Sequence, residues 1–65
     1  MKNFKAIRKD ERIMIPLRYT KSIIHALTIL NNFYFINNMI VAQGDLKIDF
    51  ESISNAEKFM KLCNE

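Results

Sequence analysis

The sequence predicts an α+β fold: a small antiparallel sheet of about three to four strands with two helices packed on one face, in the order β(β)-α-β-β-α. Three observations lead there. Leu46, Ile48 and Phe50 alternate with Lys47, Asp49 and Glu51, the period of a half-buried strand. Two segments, one after Thr20 and one after Ser54, repeat apolar residues at helical spacing. The 23 residues Ser22–Gly44 hold no Asp, Glu, Lys or Arg, but Asn31-Asn32 and Asn37-Asn38 cut them into short apolar pieces.

The elements follow in chain order. Residues 3–8 are an extended candidate, and residues 1–11 are read as either a flexible basic arm or the first strand of a hairpin. In residues 12–18, Ile13, Ile15 and Leu17 alternate with Arg12, Met14, Pro16 and Arg18, which predicts a strand. Pro16 donates no ladder hydrogen bond and so predicts an edge strand. Thr20 reads as a helix cap, with Tyr19 stapled on Ile24 and an apolar stripe of Ile23, Leu27 and Leu30. That helix should end near Asn31-Asn32. Phe33–Ile36 is rich in strand formers. Asn37-Asn38 is read as a turn, because Asn tolerates left-handed backbone, and Met39–Gln43 as a second short strand. Gly44-Asp45 turns the chain into the 46–51 strand. Ser54-x-x-Glu57 has the form of a capping box, opening a helix with Ala56, Phe59, Met60 and Cys63 on one face and Lys58 and Lys61 facing away.

The uncharged stretch has the length of a membrane span, about 20 residues. Its central amides argue against one, since each would cost kilocalories in hydrocarbon unless paired. The reading is buried elements joined by Asn turns. At 65 residues the chain is a single small domain with a marginal core. One cysteine excludes an internal disulfide, and one cysteine with one histidine cannot make a four-ligand zinc site. A homodimer would be another way to shield apolar surface. The lone Cys63 and an N-terminus without a signal-peptide pattern predict a cytoplasmic protein.

Little in the chain speaks for catalysis. The one glycine excludes a phosphate-binding glycine loop and a dinucleotide motif. His25 and Cys63 sit among apolar residues on the two predicted helices and read as core-edge residues rather than a nucleophile–base pair. Asp49 and Glu51 share a strand face with Lys47, a mixed-charge solvated surface. The expectation is therefore no enzyme, no cofactor and no metal site.

The charge map is uneven. Seven basic residues against Asp10 and Glu11 give residues 1–21 a net +5, while three lysines against five acids give the remainder −2. Arg12 and Arg18 would share a strand face with Met14 as a cationic row. Tyr34 would face opposite to Phe33 and Phe35, leaving an aromatic surface outside the core. An exposed sheet edge is expected near 12–18 or 46–51. These features predict a non-catalytic protein that binds and modulates a protein partner by occlusion, through Arg8, Arg12, Arg18, Lys21 and Tyr34. The alternative is a small basic nucleic-acid-binding regulator using the same face. Ten isoleucines, seven asparagines and seven lysines, all with AT-rich codons, suggest an AT-rich genome. A phage or mobile-element accessory protein acting on a host enzyme fits that composition and length. The strand–helix–strand–strand–helix order resembles split βαβ ferredoxin-like folds without their last strand, a topological likeness that implies no function.

Overall fold

A computed structural model of the chain describes residues 3–33 and 35–65. It has six elements: β1 (Ile7–Lys9), β2 (Arg12–Pro16), α1 (Thr20–Leu30), β3 (Ile36–Ala42), β4 (Asp45–Phe50) and α2 (Ile53–Cys63). The four strands form one antiparallel sheet in the order β1-β2-β4-β3. The α+β architecture and the ββαββα order are those the sequence predicts. β2 and β3 both run antiparallel to β4, so they are parallel to each other with β4 between them. With α1 as the crossover, this is a split βαβ unit. β1 adds the outer place beside β2.

Side-chain parity builds the core. Ile13 lies opposite Ile48 and Ile15 opposite Leu46, all buried on one sheet face. The other face of the same two strands carries Arg12, Met14, Lys47 and Asp49, all half-buried. The alternation in 46–51 therefore reads as predicted. Both helices close the buried face. Ala26 and Leu30 of α1 and Ala56, Phe59 and Cys63 of α2 join the strand residues in a single cluster. Phe59 is its centre: its ring meets Phe50 at 5.0 Å and Phe33, edge to face, at 5.8 Å. Edge-to-face packing suits the aromatic quadrupole.

Several local expectations are corrected. β2 is a central strand despite Pro16. The Leu17 amide donates to the Gly44 carbonyl, so the Pro16 nitrogen faces the β1 side, and β1 has already ended at Ile7, the partner of Met14. The missing donor is harmless there. The sheet edges are accordingly β1 and β3, not residues 12–18 or 46–51. Asn37-Asn38 is not a turn. Both residues lie inside β3, and Asn37 is the extra residue of a bulge, since Ile36 pairs with Phe50 and Asn38 with Asp49. Phe33–Ile36 forms no separate strand; only Ile36 belongs to one. Phe33 packs on the core whereas Phe35 is exposed, so these two do not share a face as a strand would require.

The hairpin β3–β4 turns at Gln43-Gly44, with φ of 54° and 77°. Two consecutive left-handed residues make the two-residue turn whose twist matches the strands. Thr20 starts α1 but does not cap it: the cap position is Tyr19, and no side chain bonds to the first-turn amides. The cap of α2 is Ser52, whose hydroxyl accepts from the Asn55 amide at 3.1 Å, so the box at Ser54–Glu57 lies one half-turn inside the helix. Of residues 1–11, residues 7–9 form the first strand of a hairpin with β2.

Candidate functional site

Of the five residues singled out from sequence, the four described ones, Arg8, Arg12, Arg18 and Lys21, do not form one surface. Arg12 is spent within the sheet. It lies directly across from Asp49, and the two make a bidentate pair: Nε to Oδ1 at 2.6 Å and Nη2 to Oδ2 at 2.9 Å. The Arg12 hydrogen bond holds the Asp49 carboxyl below its ordinary pKa, against the opposing pull of burial. Asp49→Asn is therefore expected to lower stability modestly at neutral pH in urea unfolding. Because the folded value is depressed, the wild-type advantage exists above the ordinary carboxylate pKa of 3.8 and disappears as the pH falls through the lower folded value. Equal stability of the two proteins at pH 7 would contradict the pairing.

Arg8 is spent as well. Its guanidinium lies 3.7 Å from Glu57 of α2, and Nη1 donates to the Asp10 carbonyl at 3.0 Å. Arg18 lies past the end of β2, in the turn before α1, so it shares no strand face with Arg12 and the predicted cationic row does not exist. Tyr34 lies outside the described residues.

Arg18 and Lys21 do come together, and Lys5 joins them. The three line an open concavity of about 550 Å³ with Tyr19, Thr20 and Ser22, and among the described residues no carboxylate lines it. Each wall has a cause. The Arg18 guanidinium stacks 4.9 Å from the Tyr19 ring centre and Nη2 reaches the Tyr19 hydroxyl at 3.3 Å, which lowers the phenol's pKa. Ser22, 2% exposed, accepts the Lys5 amide at 3.0 Å and so ties the segment before β1 to the first turn of α1. Lys21 stands exposed on that turn. The first amides of a helix lack intrahelical partners and carry the positive end of its dipole. An adjoining hollow of about 270 Å³ shares Lys5, Arg18 and Tyr19 and adds Phe4, Ala6, Ile7 and Pro16. Cationic and apolar surface thus run together in one groove.

Of the residues singled out from sequence, Arg18 and Lys21 line this concavity, and Lys5, which was not singled out, lines it with them. No local signal marks it, because Lys5 enters the site only through its backbone bond to Ser22, 17 residues on. The pairing of Arg12 with Asp49 depends on the strand register, which the sequence does not show.

His25 and Cys63 also meet, but not as a nucleophile and its base. The His25 Nε2 lies 3.1 Å from the Cys63 carbonyl oxygen, and the ring packs edge-on to Phe4. Burial pushes the Cys63 thiol up to about 12. Among the described residues no group of three or more His, Cys, Asp or Glu is placed to hold a metal ion. No described helix is long and apolar enough to cross a membrane. Comparison with known proteins finds no matching family model, no matching curated protein and no matching solved structure.

Proposed function

We propose that this chain is a non-catalytic interaction protein of the cytoplasm that binds a partner protein and modulates it by covering a site. The observation that supports this most is the shared groove. Lys5, Arg18 and Lys21 offer three cations free of any lining carboxylate, beside the apolar Ile7, Pro16 and Tyr19. An acidic side chain flanked by apolar ones fits that lining, with the charges steering the approach and the apolar part resisting dissociation. The role suits an accessory protein of a phage or mobile element acting on a host enzyme, a reading that rests on composition and length.

Nucleic-acid binding is the second reading. It is favoured by the first-turn amides of α1, which together with the three cations make a seat for a phosphate. The two readings separate by salt. Phosphate binding weakens linearly in log salt with a slope set by the phosphates neutralised, whereas an interface with an apolar centre weakens less.

The test is capture from a lysate of the native host, with and without nuclease, using the wild-type chain and a Lys5→Glu, Arg18→Glu, Lys21→Glu triple variant. A stoichiometric protein band that survives nuclease and is lost with the variant is expected. A nuclease-sensitive catch would favour the second reading. A band retained by the variant would remove the groove from the interface.

A further inference from the structure

The two edges of the sheet differ. β1 is three residues long and carries Arg8 and Lys9, the short, charged type of edge that resists pairing with another chain. β3 is seven residues long, contains no charge and no proline, and among the described residues pairs only with β4. Met39, Ile40 and Val41 are 44%, 38% and 65% exposed. Met39 and Val41 lie opposite Ile48 and Leu46, so they belong to the core face of the sheet, yet the helices leave them uncovered.

The geometry points to a two-fold dimer in which β3 pairs antiparallel with β3 of a second copy about Ile40. The two-residue turn makes Ala42 and Asp45 the hydrogen-bonded pair beside it. Ala42 and Ile40 therefore aim their backbone groups at β4, and Met39 and Val41 aim theirs outward. A dyad at Ile40 sets Met39 of each copy against Val41 of the other, with both outward backbone pairs satisfied. It also sets Ile40 against its own copy in the close, non-hydrogen-bonded position. The bulge at Asn37 ends the regular ladder, and Ile40 is the midpoint of the regular segment 38–42.

This register selects a second copy over a foreign strand. Every contact between residues 39 and 41 is apolar against apolar, and a strand without charge meets itself with no repulsion at the axis, where like charges would face each other. The same operation on β1 would juxtapose Arg8 and Lys9 with their counterparts. A second copy also gives a 65-residue chain the additional buried surface that small folds need. The pairing lies on a different edge from the basic groove and does not depend on what the groove binds.

The experiment is sedimentation equilibrium of the purified chain from about 10 μM to about 1 mM, since a homodimer is inseparable from protomer concentration. The expected mass rises to twice the 7.7 kDa chain mass. Val41→Lys adds an edge cation and Val41→Pro removes an outward amide without touching the β3–β4 ladder. Each is expected to weaken dimerisation by roughly tenfold or more, with the circular dichroism of Val41→Lys unchanged. Should Val41→Pro fail to fold, Val41→Lys decides. A wild-type chain that stays monomeric throughout, a dimer unaffected by Val41→Lys, or a monomer that pairs only with another protein's strand would each overturn the proposal.

Discussion

Phe59→Ala is expected to remove a large part of the protein's folding stability. The side chain is fully buried and its ring meets both Phe33 and Phe50, so it joins α2 to β4 and to the segment after α1. Truncating a buried Phe typically costs about 3–5 kcal/mol, part for lost transfer and part for the cavity. A domain of this length has roughly 3–10 kcal/mol of total stability. The loss is a large fraction of the whole. Urea unfolding followed by circular dichroism measures it. Phe59→Leu, closer in volume, should lose much less and retain a cooperative transition. A Phe59→Ala protein as stable as the wild type would mean the core is not organised about this ring.

Alkylation of Cys63 by iodoacetamide at pH 8 is expected to run about a thousandfold slower in the native protein than in urea. Only the thiolate reacts, and burial raises the thiol from 9.0 to about 12. Three units of pKa reduce the thiolate fraction by about a factor of 1,000 at a given pH. The same shift has a consequence for stability. The folded state holds this proton more tightly than the unfolded state, so its contribution is complete below the unfolded value near 9 and is lost as the pH rises toward the folded value of about 12. Stability should therefore decline on the alkaline side, and Cys63→Ala should flatten that decline. Comparable native and unfolded alkylation rates at pH 8 would show that the thiol is open to solvent.

The charged residues show where sequence reading reached its limit. Arg8, Arg12 and Arg18 are similar in sequence context, yet one pairs with α2, one with β4 and one stacks on its neighbour. Only the last pairing is local enough to read directly. The other two depend on which strand and which helix come alongside, so a net charge of +5 over residues 1–21 overstated the free basic surface. Two further misreadings, at Asn37-Asn38 and Pro16, have the same origin. Asn suits a turn and a bulge alike, because both need unusual backbone, and proline avoids central strands only where its nitrogen would face a partner.

The sequence by itself determined the class of fold, the order of its elements and part of the inward set, since Leu17 and Leu27, read as inward, are 41% and 42% exposed. Ile13, Ile15, Leu46, Ile48, Phe50, Ala56, Phe59 and Cys63 follow from periods of two and 3.6, which are properties of the local backbone. The tertiary structure alone decided strand order, register and the partners of Arg8 and Arg12. Placing β4 between β2 and β3 made β3 an open edge, cancelled Arg12 against Asp49, and left Lys5, Arg18 and Lys21 around one groove. These are contacts between residues distant in the chain, and their geometry is set by how the packed layers meet.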